Sequence, residues 1–479
     1  MKTYHIITIG CQMNKSDSER LAGRLEQNGY KKTDNKYQAD LIVVNTCGVR
    51  QSAEDRIYGL IPGIKKANQK AKIVLTGCLA ARQDVKNRLK DYVDEWLPIS
   101  EIFNFQFSIF KQTLIFNFQA NAKCKNDYLK IIPKYESEFS AFVPIGNGCN
   151  NFCSYCVVPY ARGREVYRPV EDILAEVKEL VKKNYKEIIL IAQNVNSYKS
   201  QIPNPNNQTN SKSQIKNSKN KIIDFSDLLK MVNGIQGDFW LRFMTSHPKD
   251  MSDKLIETMV DCEKVCHQVH LPAQAGDDEV LASMNRKYKI ADYVELVGKI
   301  RSILNDQIPI TNNQTNSKFQ VPNSKQSLWK QPVSITTDLI VGFPTETKRR
   351  FANTAKLMRQ IKFDMAYIAK YSARPETAAA KMQDNVSTVE KKRREQILMK
   401  ILRKTALENN KKYLGKIMKV LVEGESKSEE WAGRTATNKN VKFPSASWRT
   451  NDKNNLIGKF VNVKIIKAQD FGLAGELIS

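Results

Sequence analysis

Hydrophobic and polar positions repeat one pattern three times over the first eighty residues. Tyr4–Ile9, Leu41–Val44 and Ile73–Leu75 are short β-rich apolar runs, and Asp17–Asn28 and Ala53–Asn68 between them carry apolar residues at helical spacing. This alternation predicts βαβαβ with a parallel sheet, since parallel neighbours need a crossover that a helix supplies. Residues 99–126 break the rule. Ile102-Phe103-Asn104-Phe105-Gln106 recurs as Ile115-Phe116-Asn117-Phe118-Gln119, an aromatic segment expected to form a hairpin and assigned no chemistry. From residue 141 the alternation returns. Strands are expected near Ala141–Ile145, Glu187–Ala192, Phe239–Met244, Val265–Leu271, Ser334–Val341 and Met365–Tyr371, with helices over Val170–Asn184, Phe225–Ile235, Lys249–Cys262, Ala291–Leu304 and Lys348–Ile361. Six βα units predict a partial (β/α) barrel, open on one side, with its site at the carboxyl ends of the strands.

Two stretches, Lys199–Lys221 and Asp306–Pro332, interrupt the barrel and share the heptad Asn-Asn-Gln-Thr-Asn-Ser-Lys. They are rich in Asn, Ser, Lys and Gln and lack a core pattern, so they are expected as disordered surface loops. Ser387–Lys412 reads as a basic helix with Leu398, Ile401 and Leu402 on one face. Tyr413–Ser479 changes to short strands separated by Gly and Asn turns, as in a small antiparallel barrel of OB type, a common nucleic-acid platform. The expected class is α/β: an N-terminal βαβ parallel-sheet domain over 1–125, a central partial (β/α) barrel over 135–380, a basic helical linker over 381–412, and a C-terminal OB-like barrel over 413–479.

Composition narrows the partner. Lys+Arg 76 against Asp+Glu 50 gives a net charge of +26 over 479 residues, which favours a polyanion such as nucleic acid. The N-terminal apolar run is too short for a signal peptide. No run approaches the ~18 apolar residues of a membrane span. Nine cysteines in so large a chain do not resemble a secreted disulfide framework, and the expected location is the cytoplasm.

The cysteines fall into two triads. Cys149, Cys153 and Cys156 form a C-x3-C-x2-C loop directly after the apolar strand at 141–145. Three thiolates on so short a loop suit three irons of a cubane and leave the fourth iron for another ligand, since clusters are normally held by four cysteines. Structural zinc also prefers four protein ligands, and no fourth Cys or His lies close in sequence. Cys11, Cys47 and Cys78 lie 36 and 31 residues apart, each just past the carboxyl end of its strand. That edge is where open α/β sheets bind ligands, so the three thiols are placed to converge. Cys262, Cys266, His267 and His270 imitate a metal site, but the two histidines would point to opposite faces of a strand. Cys124 reads as a free thiol. Gln193 and Asn194 end the second barrel strand. Glu346 and Arg374 lie near strand ends, where they serve either a ligand or rim ion pairs. Arg434 and Phe443 offer the terminal barrel a cation and an aromatic for RNA.

These motifs together resemble the radical S-adenosylmethionine (SAM) methylthiotransferase family. The likeness spans nearly the whole chain apart from 99–126 and the two inserts. It rests on Gly148–Cys156, on Cys11, Cys47 and Cys78 upstream, and on a barrel similar to the TRAM domain downstream. Gln193-Asn194-Val195-Asn196-Ser197-Tyr198, Arg242-Phe243-Met244-Thr245-Ser246-His247-Pro248, His270-Leu271-Pro272 and Gly433-Arg434-Thr435 are similar to the tRNA-modifying branch. Two stretches depart from the family: Gly342-Phe343-Pro344-Thr345-Glu346-Thr347 stands for a GFPGET-like turn, and Tyr371–Ala380 for a YSPRPGTPAA-like stretch. Neither touches a cluster ligand. The resemblance implies a central barrel of radical-SAM type and two [4Fe–4S] clusters. Cys149, Cys153 and Cys156 would hold the one that reductively cleaves SAM. Cys11, Cys47 and Cys78 would hold an auxiliary one that carries the sulfur. No catalytic residue is implied beyond these six. Tyr155, Gln193, Asn194 and Glu346 would contact SAM. The implied substrate is the tRNA anticodon stem-loop, methylthiolated at C2 of N(6)-isopentenyladenosine at position 37, with an electron donor such as flavodoxin or ferredoxin and no membrane. Threonylcarbamoyladenosine in tRNA, a ribosomal protein, and a non-catalytic iron–sulfur RNA-binding role remain the alternatives.

Overall fold

A computed structural model describes residues 2–102, 127–202, 221–305, 332–426, 430–444 and 456–478. The aromatic repeat beyond Ile102, Cys124 and most of both inserts lie outside these residues. The chain divides into two compact units, one made of Met1–Glu176, Leu190–Gln193 and Ser372–Ala380, the other of Val177–Ile189, Asn194–Tyr371 and Lys381–Ser479.

The first unit opens with a five-stranded parallel sheet. Its strands run in the order Lys31–Lys32, Thr3–Ile9, Leu41–Thr46, Lys72–Gly77, Glu95–Leu97. Both faces are covered. Leu41, Val43 and Val74 join Leu21 and Leu25 in one core cluster, and Ile42, Val44, Ile73 and Leu75 join Ile57 and Ile61 in the other. Alternate side chains therefore enter opposite cores, which is why these strands read as unbroken apolar runs. The first helix spans Gln12–Gln27 and begins five residues before the expected Asp17. Its start is polar because Asn14 is buried against Asn45 of the sheet edge, and Ser18 one turn further on meets Asn45 and Thr8. Apolar periodicity does not register such a turn. Later in this unit, strand Ser140–Pro144 leads into a short antiparallel pair, Gly146–Asn147 with Val166–Tyr167. That pair closes the base of the loop carrying Cys149, Cys153 and Cys156.

The second unit contains the parallel strands of the partial (β/α) barrel: the start of Glu187–Ile191, then Trp240–Met244, Gln268–His270, Ser334–Val341 and Met365–Lys370. Helices Phe225–Asn233, Asp253–Asp261, Ile290–Asn305 and Lys348–Ile361 alternate with them. The expected strand at Val265–Leu271 shortens to Gln268–His270: Val265 still bridges Leu241 in parallel, and a bend at His267 separates it from the ladder that follows. The first insert is also corrected at its ends. Lys199–Ile202 pairs antiparallel with Lys221–Asp224, so the described ends are a β-ladder rather than disordered loop. Helix Thr388–Lys411, capped by Ser387, precedes a closed five-stranded barrel of Ile417–Glu425, Glu430–Thr435, Asn440–Pro444, Gly472–Ile478 and Phe460–Gln469. No described helix is long and apolar enough to cross a membrane.

Candidate functional site

All six triad cysteines belong to the first unit. Register explains the first three. Ile9 pairs with Thr46, and Thr46 with Gly77, so three adjacent strands end level. The Cys47 N–H donates to the Ile9 carbonyl and the Cys78 N–H to the Thr46 carbonyl, both at 2.9 Å, which carries the ladder one residue beyond the strands. Parallel neighbours lie about 4.8 Å apart, and Cys11, Cys47 and Cys78 leave three successive neighbours. Small residues make room. A Cβ on Gly10 would stand 2.9 Å from that of Cys47, and one on Gly48 would stand 3.2 Å from that of Cys78.

Cys11 caps helix Gln12–Gln27, where backbone N–H groups and the helix dipole favour a thiolate. Asn14 Oδ1 accepts from the Cys11 N–H at 3.3 Å and from its thiol at 3.2 Å, while Asn14 Nδ2 donates to Asn45 Oδ1 at 2.9 Å. A hydrogen bond from Cys47 pulls the Cys11 thiol down to about 6 against the opposing effect of burial, and the charge of Arg162 assists. Cys47 is driven the other way by the same bond and by burial.

In the second triad, burial pushes Cys156 up to about 12, with negative charge at Cys153, Cys149 and Cys78 adding to the rise. Burial also raises Cys149, whose sulfur accepts from Asn151 Nδ2 at 3.5 Å. Among the described residues no three His, Cys, Asp or Glu side chains are set to hold a single metal ion. A cubane asks for something different, one thiolate on each of three irons, and these are soft sulfur donors with no oxygen donor among them. The donor sets fit that group.

The two triads are neighbours. Cys78 contributes to the charge felt by Cys156, and the Cβ position of Gly48 touches both Cys78 and Val157, at 3.2 and 3.4 Å. Arg374 braces the loop after Cys47. It donates to the Val49 carbonyl at 2.9 Å and to Gln51 Oε1 at 2.6 Å, and it pairs with Glu54 at 3.4 Å. Of the two roles open to it from sequence, it takes the ion pair.

Tyr155 is half-buried within the second triad's loop. Gln193 and Asn194 follow strand Glu187–Ile191, and each keeps a buried side-chain oxygen with no hydrogen-bond partner among the described residues. Asn194 Nδ2 donates to Asp250 at 2.7 Å. Glu346 is engaged through one carboxylate oxygen, while its buried Oε1 has no hydrogen-bond partner among the described residues. Its Oε2 accepts from the Gly342 N–H at 2.6 Å and from Arg394 at 2.7 Å, and its side chain is fully buried, so it holds the turn. Phe443 is 1% exposed in the core of the terminal barrel and presents no ring to a base. Arg434 is likewise engaged, donating to Glu423 at 2.6 Å and to the buried Glu187 at 2.9 Å. Neither is an RNA contact in this structure. Cys262 and Cys266 are buried, and His270 faces Thr336 and Asp338 instead of the cysteines.

Sequence reasoning missed the segment at 245–247 as a site. Thr245 has φ +73, a left-handed conformation costly for a β-branched residue, and it precedes Ser246, whose buried hydroxyl has no partner among the described residues. His247 and Asn196 bond reciprocally at 2.9 Å, and burial pulls the His247 ring down to about 2, so it is neutral. The signal available was the shared family stretch, not any periodicity.

Three family models match the chain: Uncharacterized protein family UPF0004 over residues 3–97, the Radical SAM superfamily over 143–320 and the TRAM domain over 411–478. A tRNA-2-methylthio-N(6)-dimethylallyladenosine synthase of Clostridium botulinum (strain Hall) is 39% identical over 488 residues, covering 99% of this chain and 97% of the relative. Its counterpart from Thermoanaerobacter sp. (strain X514) is 40% identical, covering 99% and 92%. That of Caldicellulosiruptor saccharolyticus is 39% identical, covering 100% and 93%.

Proposed function

The chain belongs to the radical-SAM methylthiotransferase family of the tRNA-2-methylthio-N(6)-dimethylallyladenosine synthases, and from that premise we propose that it places a methylthio group on C2 of N(6)-isopentenyladenosine next to the tRNA anticodon. The observation that supports this most is the pairing of near-full-length relatedness with two cysteine triads in one compact unit. The family's cofactors are [4Fe–4S] clusters and SAM. In this reading Cys149, Cys153 and Cys156 hold the cluster that binds SAM, and Cys11, Cys47 and Cys78 hold the auxiliary cluster. Together the bound groups supply a one-electron route to an aromatic C–H that no acid or base can activate.

The chain's own residues do the rest. The level strand ends set Cys11, Cys47 and Cys78 side by side, and Arg374 and Glu54 hold the Cys47 loop in place. The Gly146–Asn147 and Val166–Tyr167 pair anchors the second loop. Within the first unit, half-buried Tyr155 and the unpartnered oxygen of Gln193 are offered for SAM contacts. Cys47 and Cys78 are buried and the other four cysteines half-buried, and such shielding from water suppresses side reactions. The excess of positive charge draws the tRNA, an electron donor such as flavodoxin or ferredoxin reduces the protein, and both meet it in the cytoplasm.

The test is nucleoside mass analysis of tRNA from cells with and without this protein. Loss of the 2-methylthio form of isopentenyladenosine, with the unmodified precursor accumulating, is expected. An unchanged nucleoside profile rejects the reading.

A further inference from the structure

A pocket of about 150 Å³ opens in the second unit at the amino ends of two barrel strands. Val333 directly precedes Ser334–Val341 and Asp364 directly precedes Met365–Lys370, and both line it. Barrel reactions take place at the opposite, carboxyl ends, so the pocket is separate from that face. Helix Ile290–Asn305 supplies Arg301 to its wall, Lys362 follows helix Lys348–Ile361, and Lys412 follows helix Thr388–Lys411.

Charge is unbalanced there. Asp364 has both oxygens engaged, Oδ1 with Lys439 at 2.6 Å and Oδ2 with the Ile335 N–H at 2.9 Å. Lys362 pairs with Glu408 at 3.0 Å. These two pairs cancel, which leaves Arg301 and Lys412. Among the described residues neither has a carboxylate partner: Arg301 donates to the Lys362 carbonyl at 3.3 Å, and Lys412 donates to Asn409 Oδ1 at 2.9 Å. The buried Asn409 ties the two together, since its Nδ2 donates to the same Lys362 carbonyl at 2.8 Å. Burial pulls both cations below their ordinary range. Asp364 opposes the fall in each, and Arg301, Lys362 and Lys439 add to it at Lys412. Cations crowded around one cavity repel each other, and an anion between them removes that cost.

We propose that this pocket binds a single phosphate group, held by Arg301 and Lys412. The planar guanidinium can take two phosphate oxygens, and the ammonium acts as a point charge. Size limits the guest, because sites for whole small molecules take about 300–1,000 Å³. The phosphate is therefore either a free anion or one group of an RNA backbone whose remainder stays outside. This inference does not depend on the assignment of the cysteines.

The experiment uses full-length protein, reconstituted anaerobically, and calorimetric titration with inorganic phosphate in a phosphate-free, low-salt buffer. The parent should bind. R301Q and K412Q should each bind about tenfold more weakly, the loss expected for one charge-assisted contact, and R301Q/K412Q should give no measurable heat. Thermal unfolding separates this from a structural role. Without phosphate the double variant should unfold no lower than the parent, since repulsion has been removed, and added phosphate should raise the midpoint of the parent alone. Should the double variant misfold, K412Q decides by itself. The source of the phosphate is read from tRNA binding at several salt concentrations. A salt slope lower by about one in R301Q/K412Q identifies an RNA backbone phosphate, and an unchanged slope with lost phosphate binding identifies a free anion. Equal phosphate affinity in parent and variants overturns the proposal. So does a parent that binds no phosphate and a tRNA slope that the substitutions leave unchanged.

Discussion

Gly77 shows how little freedom the backbone has behind the cysteines. Its φ is +92, and a Cβ there would run into the Thr46 carbonyl and Asn45 Oδ1. Gly163 also has a positive φ, +79, but faces open space. Gly163→Ala should therefore cost about 1 kcal/mol, the left-handed strain alone. Gly77→Ala should cost about 3–5 kcal/mol, since backbone must move as well. Thermal unfolding of both variants checks the ratio, and equal losses would refute the steric account. Glu19 offers a pH test. Burial lifts its carboxyl to about 7, and one oxygen, Oε2, lacks a partner among the described residues. A carboxyl raised above its unfolded value contributes stability at low pH that is lost as pH rises through the folded value. Glu19→Gln should thus gain about 1 kcal/mol relative to the parent on going from pH 6 to pH 8. A gain that is flat in pH would contradict the assignment. At this scale the sequence was informative about residue type and silent about burial. It gave the six cysteines, whose spacing carries the chemistry, but it offered Arg434 and Phe443 for RNA because they looked like a cation and an aromatic on a nucleic-acid platform. One is paired with acids and the other fills a core.

Elements were more legible where one physical signal dominated. Ser334–Val341 and Lys348–Ile361 lie where the sequence places them. The strand is rich in β-branched residues and buried along most of its length, and the helix has Thr347 as a hydrogen-bonded cap and a clear apolar face. The helix after Cys11 was misplaced by five residues because its first turn buries polar groups. The joining of the terminal barrel to the rest of its unit had no local signature. Arg242 and Arg434 both reach Glu187, at 2.6 and 2.9 Å, and Arg242 also donates to the carbonyls of Thr435 and Ala436, each at 2.7 Å. Trp240 packs against Phe460 in a tilted arrangement with ring centres 4.7 Å apart. The partners across this joint lie 193 to 247 positions apart, so only the folded chain reveals that Gly433-Arg434-Thr435 is a docking motif. Glu187→Gln leaves the buried Arg242 guanidinium and the part-buried Arg434 guanidinium facing a neutral amide. Breaking a buried pair from one side costs about 3–5 kcal/mol, and this loss should appear in denaturant unfolding. Arg434→Gln should cost less, because Arg434 is one-fifth exposed and Arg242 still neutralises Glu187. The reverse order would mean that Glu187 does not hold the barrel.

At the scale of the whole molecule, the two triads share a compact unit but should fail separately. Cys47 sits on the sheet edge with Cys11 and Cys78, braced by Arg374, and none of these residues belongs to the loop of Cys149, Cys153 and Cys156. Cys47→Ala should therefore remove roughly half of the iron and sulfide, one of two separate cubanes. The loop cluster and its SAM chemistry should survive, uncoupled from sulfur transfer. Cys153→Ala should abolish SAM cleavage and with it all methylthiolated product. The assay is anaerobic, with dithionite, SAM and substrate tRNA, and reads 5′-deoxyadenosine and methylthiolated nucleoside separately. Some slowing of SAM cleavage in Cys47→Ala is expected from the contact of Gly48 with Cys78 and Val157, because an emptied site loosens packing beside Cys156. Complete loss is not. A folded Cys47→Ala protein that retains the loop cluster yet cleaves no SAM would show the triads to be one functional unit. Normal methylthiolation by the same protein would remove the auxiliary cluster from the reaction.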